Sequence, residues 1–243
     1  MASPGFWNLR GCAVETGTKT GKNHQKSRVG PFLPCIVRPS VLYTVYLLVA
    51  EGTAMELLEQ RILADGKLLS GGILKVDNFL NHQMDPMLLL AMAKEWKRLF
   101  DGEGVNKILT IEASGIAMAI LVGLEFQCPV VFAKKSKTKN LSDNLYRTEV
   151  PSFTHGNTNT VVVSKDYLHP GDRVLLIDDF LATGAAFFGL KALVEQAGAT
   201  LVGAGAAIEK RFQGGGDALR AQGIRGESLA RIVEMDDAGI KFG

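Results

Sequence analysis

The chain has 243 residues, 47% hydrophobic and 21% charged, which is enough apolar material for one sizeable globular core. Its net charge of +2 is uneven: residues 1–54 hold six basic and two acidic residues, so that segment carries +4 and the remainder −2. A mildly acidic body lacks the clustered basic face that nucleic-acid binding needs, and VLYTVYLLVA (41–50), the apolar run of the N-terminal segment, is about half of the roughly 20 residues that a membrane helix takes.

Residues 1–54 differ in character from the rest. They are rich in Gly, Pro, Ser, Thr and Lys without sustained periodicity, and a secretory signal fits them poorly because the apolar run lies far from the N-terminus. We expect an N-terminal extension over 1–54, disordered or not native, with Met55 as the natural first residue and a single catalytic domain over 55–243. Cys12, Cys35 and Cys128 are an odd number without metal-like spacing, which suits a reducing, cytoplasmic setting. Cys128 reads as a small buried hydrophobe.

From Met55 a helical pattern, ELLEQRILADG, runs to Gly66, and Gly71-Gly72 punctuate the chain. LKVDNFLNHQMDP follows. Within it Leu74 suits either a core position or the wall of a ring site, and Asn81 either a turn or a partner that both donates to and accepts from a base edge. His82 beside it reads as structural. Asp85-Pro86 is a helix start, an N-cap before proline at the first position, and apolar spacing carries that helix through Leu99 and Phe100.

Residues 107–111 form the next expected strand, and EASGIA leads into a helix over 116–126. The small residues Ala113, Ser114 and Gly115 at that turn can cap the helix or cradle an anion. A strand over 129–133 then enters KKSKTKN (134–140), whose lysines are either a solvated loop or gathered by something anionic. LYRTEVPSFTHG and TNTVVVSKDYL alternate apolar and polar residues around His155-Gly156-Asn157, which predicts an antiparallel hairpin.

The stretch 172–189, DRVLLIDDFLATGAAFFG, organises the rest. Val174 to Ile177 read as a strand buried on both faces, ending in Asp178 and Asp179; a loop over 180–182 then delivers Thr183 and Gly184 to a helix over 185–197. Ligands of open α/β sheets gather at carboxyl ends of strands. Two carboxylates there suit diol hydroxyls or a magnesium ion, and the helix N-terminus behind them suits a phosphate, although an Asp in this place also serves simply as an N-cap. ATLVGAGAAIEK (199–210) supplies another buried strand that brings Glu209 and Lys210 to the same edge; Lys210 points either to water or to a ligand. A Gly-rich loop with a short helix spans 213–226, and ESLARIVEMDD is read as the final strand.

VLLIDDFLATGAA resembles the phosphoribosyl-diphosphate signature of the type I phosphoribosyltransferases. More narrowly, LKVDNFLNHQMDP, ILTIEASGIA, PVVFAKK, the signature, AAIEKRFQ and ESLARI are similar, in order over nearly all of 55–243, to the bacterial xanthine phosphoribosyltransferases. The resemblance implies an α/β fold, with a mainly parallel twisted sheet flanked by helices and a small hood from the two ends of the domain. It also implies purine salvage: transfer of 5-phosphoribosyl from phosphoribosyl diphosphate (PRPP) to N9 of xanthine, giving xanthosine 5′-monophosphate (XMP) and diphosphate, with Mg2+ held by the substrate and a homodimeric protein. Site roles follow from the same likeness. Asp178 and Asp179 would serve catalysis, and Ala182, Thr183, Gly184, Ala185 and Ala186 would bind PRPP. Ala113, Ser114, Gly115 and Lys134 or Lys135 would meet diphosphate, and Leu74, Asn81 and Lys210 the purine. A mobile loop near the hairpin would close over the sugar. Ala185 and Ala186 depart from signatures that end in Thr or Ser, so two hydroxyl donors worth on the order of 1 kcal/mol each are missing. The rivals are a PRPP-binding regulator without turnover, a guanine or hypoxanthine transferase, and an orotate transferase.

Overall fold

A computed structural model describes residues 53–69, 72–136, 144–151, 158–236 and 238–243. The expectations about residues 1–52, about Lys137 and Lys139, and about the His155-Gly156-Asn157 turn fall outside them.

Helix α1 (Ala54–Asp65) begins with a capping box: Glu56 N donates to Thr53 Oγ1 at 3.3 Å and Thr53 N donates to Glu56 Oε2 at 2.8 Å. Strands β1 (Lys67–Leu69) and β2 (Ile73–Lys75) form a two-stranded antiparallel hairpin, and a single π-helical turn, Asp77–Asn81, follows. Sequence reading marks neither, because three-residue strands with mostly exposed side chains leave no alternation to detect. Helix α2 (Pro86–Leu99) starts where Asp85-Pro86 predicts, with Asp85 Oδ1 accepting from Met87 N at 3.1 Å and Leu88 N at 3.2 Å.

Next come β3 (Lys107–Ile111), α3 (Gly115–Phe126), β4 (Val130–Ser136), β5 (Leu145–Pro151), β6 (Thr158–Ser164), β7 (Arg173–Leu181), α4 (Ala185–Gln196), β8 (Thr200–Lys210), α5 (Gly215–Ala221), β9 (Gly226–Asp236) and β10 (Gly239–Phe242). The eight-stranded sheet has the order β10-β9-β8-β7-β3-β4-β6-β5. The run from β9 to β4 is parallel, and both edges are antiparallel. A mainly parallel sheet between helices is therefore observed as expected. Two strand ends and the number of strands differ from the sequence reading. β4 continues through the lysine pair to Ser136 because β6 pairs with it, and β7 continues through the acidic pair to Leu181 because β8 does. Past the expected last strand, β10 turns back onto β9.

The period-2 alternation of β7 divides the interior. Leu175 and Ile177 face a core with α1, α2 and α3, where Leu58, Ile62, Met92, Trp96 and Met118 are buried. Val174 and Leu176 face a second core under α4, with Phe187, Leu190 and Leu193. Val76, Phe79 and Leu80 join the first core, and Met235, Ile240 and Phe242 pack against it, so the hood is made from both ends of the domain. The Trp96 indole N–H donates to Glu227 O at 3.2 Å, tying α2 to the start of β9. Cys128 is only half-buried, not the fully buried residue expected, and that burial pushes its thiol pKa up. Among the described residues no helix is long and apolar enough to cross a membrane.

Candidate active site

The site exists because two neighbours of β7 differ in length. Pairing of β3 with β7 ends at Leu109–Leu176, whereas pairing with β8 runs on to Glu209–Leu181. Beyond Ile177 the strand is thus held from one side, and a cavity of about 270 Å³ opens there. Asp178, Asp179, Ala182, Thr183, Gly184, Ala185, Ala186, Ser114 and Lys135 all line it. Nine of the residues singled out from sequence come together around one space.

The acids sit within a strand that continues to Leu181 and not, as expected, at its end. Asp178 is 4% exposed, and its Oδ1 has no hydrogen-bond partner. Burial, then the charge of neighbouring Asp179, pushes its pKa well above the ordinary carboxylate range, while Lys135 pulls weakly the other way. Asp179 is half-buried, and its Oδ1 accepts from Phe180 N at 3.0 Å. Gly115 permits the close approach of α3 to this pair: a Cβ there would collide with Thr110 Oγ1 and lie 3.0 Å from Asp178 Oδ1. An orphaned buried carboxylate oxygen beside a second acid is a donor set suited to sugar hydroxyls or a hard cation. Among the described residues no group of three or more His, Cys, Asp or Glu gathers as a metal cage.

Behind the acids, Gly184 takes φ +86° and stands at the N-cap of α4 without a side-chain cap. That left-handed conformation favours glycine and turns the chain straight from strand into helix. The first N–H groups of a twelve-residue helix have no intrahelical acceptor, and Ala185 and Ala186 in that first turn line the cavity, an arrangement suited to an anion.

At the opposite wall Ser114 stands before α3 and makes no capping hydrogen bond. Ala113 joins Glu112 through a cis peptide. Strand alternation separates the lysine pair. Lys135 lines the acidic cavity, whereas Lys134 lies over the Phe132 ring, 5.7 Å from its centroid, and lines a different cavity on the other face. Glu112, which sequence reading passes over, lines the acidic cavity and accepts from Lys135 N at 2.6 Å. It is an acid at the end of a buried parallel strand, the same signal that marks Asp178.

Ala113 and Gly115 flank Ser114 without lining that cavity, and the three residues expected at the purine lie outside its lining as well. Leu74 is 6% exposed and packs in the hood core. Asn81 ends the π-turn, with a buried Oδ1 that lacks a partner. Lys210 Nζ donates to Gly72 O at 3.2 Å and stands over the Phe180 ring, and partial burial lowers its pKa. Phe180, also missed from sequence, lines the acidic cavity and connects it to Lys210.

No family model matches the chain. The xanthine phosphoribosyltransferase of Bacillus cytotoxicus is 50% identical over 188 residues, covering 77% of this chain and 95% of that protein. The enzyme of the same name from Bacillus anthracis is 51% identical with the same coverage. Among solved structures, adenine phosphoribosyltransferase from Rhodothermus marinus superimposes with a TM-score of 0.60 at 24% identity, covering 74% of this chain and 99% of that one. The Trypanosoma brucei enzyme, in complex with AMP, pyrophosphate and ribose-5-phosphate, gives 0.59 at 17% identity over 75% and 81% of the two chains. The structural likenesses speak for the fold; the Bacillus relatives carry the family.

Proposed function

The chain belongs to the xanthine phosphoribosyltransferase family of pentosyl-transferring enzymes, and from that premise we propose how its cleft transfers 5-phosphoribosyl from PRPP to N9 of xanthine, releasing diphosphate and XMP. The observation that carries this reading is the single cavity in which an acidic pair and an uncapped helix N-terminus open side by side.

Asp178 and Asp179 hold the two ribose hydroxyls. As the C1′–diphosphate bond breaks and the bond to N9 forms, positive charge grows on the sugar, and the carboxylates beside it favour that transition state. The amides of Thr183, Gly184, Ala185 and Ala186 bind the 5′-phosphate. Ala113, Ser114 and Gly115, with Lys135, receive the diphosphate. Magnesium brought with PRPP would supply neutralisation of leaving-group charge, and the oxygens of Asp178 and Asp179, one of them buried without a partner, fit its hard-cation chemistry. On the base side, Lys210 donates to the 6-oxo group and disfavours a 6-amino group, the Asn81 amide pairs with the base edge, and Leu74 backs the hood.

We further assign the protein to the cytoplasm as a homodimer. Ile120 and Leu124 on α3 and Phe132 on β4 are left exposed and give a second copy an apolar surface to cover; sedimentation equilibrium reads the mass directly. The test of the reaction itself incubates the protein with PRPP, Mg2+ and, separately, xanthine, guanine, hypoxanthine, adenine and orotate. XMP as the dominant nucleotide is expected. Nucleotide from another base reassigns the acceptor, and none from any base points to a PRPP-binding regulator.

A further inference from the structure

The turn assigned to the 5′-phosphate is braced from behind by a second glycine-rich turn, Gly214-Gly215-Gly216 at the start of α5. Gly215 N donates to Ala182 O at 3.0 Å. A Cβ on Gly215 would run into that same oxygen, and would lie 2.6 Å from Gly184 N and 2.7 Å from Thr183 C. All three are backbone atoms, so no rotamer change could relieve the overlap. The next residue meets a different neighbour: a Cβ on Gly216 would collide with Glu209 Oε1. The Glu209 side chain is 3% exposed at the end of β8, with the Arg220 guanidinium 3.9 Å away.

These contacts form a continuous support from the sheet through Glu209 and Gly216 to Gly215 and the Ala182–Gly184 turn. We propose that Gly215 is a positioning residue for PRPP, acting through Ala182 and touching no substrate itself. A trans peptide points its N–H opposite its C=O. Fixing the Ala182 carbonyl on Gly215 therefore aims the Thr183 amide away from α5, toward the cavity that Thr183 lines. The inference deepens the phosphate-binding role proposed above and rests on it.

The experiment compares Gly215→Ala with Gly223→Ala. Gly223 lies just past α5 with φ +72° and nothing within 4 Å of an added Cβ, so its substitution strains the same segment without touching the turn. For Gly215→Ala the KM for PRPP should rise at least ~10-fold while that for xanthine stays within ~2-fold; both should stay within ~2-fold in Gly223→Ala even where its Tm falls. An unchanged PRPP KM in Gly215→Ala, equal changes in both KM values, or the same PRPP effect in Gly223→Ala overturns the proposal. Amide exchange on the wild type with ribose 5-phosphate gives a readout independent of any variant's folding. Protection rising together at 182–186 and 214–216 supports the brace, and protection confined to 182–186 overturns it. Joint protection in a wild type that makes no nucleotide keeps the brace and removes the transferase reading.

Discussion

The Lys210 ammonium stands 5.6 Å from the centroid of the Phe180 ring while donating to Gly72 O at 3.2 Å. The charge is shared between the signature strand and the hood turn, and an oxopurine bound as proposed would meet a donor already held in place. A hydrogen bond to a charged group is worth roughly 1.5–3 kcal/mol. Lys210→Met, which keeps the stem, should therefore raise the KM for xanthine on the order of 10- to 100-fold and leave the KM for PRPP nearly unchanged. Steady-state kinetics with each substrate varied in turn reads this split; an unaltered xanthine KM removes Lys210 from the base site.

Asp179 tests the electrostatic part of the mechanism. Asp179→Asn retains an oxygen that can accept from Phe180 N, as Oδ1 does at 3.0 Å, yet removes the charge. Loss of a preorganised electrostatic contact at a developing charge commonly costs ~100-fold or more in turnover. We expect kcat to fall on the order of 100-fold with the xanthine KM within ~2-fold. A variant with wild-type kcat would place the stabilising charge elsewhere.

How far the sequence reveals such a site depends on what each residue type signals by itself. The buried runs of β3 and β7 and the Asp85-Pro86 start of α2 are strong local patterns, and the structure keeps them. The limits of β4 and β7 are not local signals, because Lys134, Lys135, Asp178 and Asp179 are poor strand formers that extend only when β6 and β8 supply hydrogen bonds, a tertiary effect. The acidic pair and the Thr183-Gly184 turn, being contiguous, are legible together. Phe180 lies between them in sequence but gives no polar signal, and Gly215 acquires meaning only when α5 is folded against residue 182. The family resemblance alone indicated Leu74, Asn81 and Lys210, three residues from two distant segments.

Burial of Asp178 ties function to stability through pH. Its pKa is raised in the folded state by burial and by Asp179. As pH rises from the ordinary carboxylate range, the unfolded chain loses this proton first, so the unfolded state binds fewer protons and stability falls until the folded pKa is passed. Asp178→Asn cannot ionise and escapes that loss. Without PRPP or Mg2+, its Tm advantage over wild type should be smallest at acid pH, grow as pH rises through that window, and level off above it. A gain of about 2–4 °C corresponds to ~1 kcal/mol in a chain of 150–250 residues. Calorimetry from pH 4 to pH 8 reads the trend, and an advantage that shrinks with rising pH would contradict it. Catalysis should be lost in the same variant, a stabilising change at the expense of activity.

Neighbouring lysines provide the sharpest geometric test. In β4, Lys135 faces the acidic cavity and Lys134 the opposite face, over Phe132. Composition treats them as equivalent; the pleat does not. If diphosphate is received at the cavity, Lys135→Ala loses a charge-assisted contact of about 1.5–3 kcal/mol and should weaken inhibition by inorganic diphosphate on the order of 10- to 100-fold, while raising the PRPP KM. Lys134→Ala removes an equal charge from an equally exposed class of position on the same strand, and its effect on both constants should stay within ~2-fold. Because long-range attraction is screened over about 10 Å at 0.1 M salt, the contrast between the two variants should persist at that ionic strength. Equal effects would mean that the pair acts only through its overall positive field, and the assignment of Lys135 to the leaving group would have to be withdrawn.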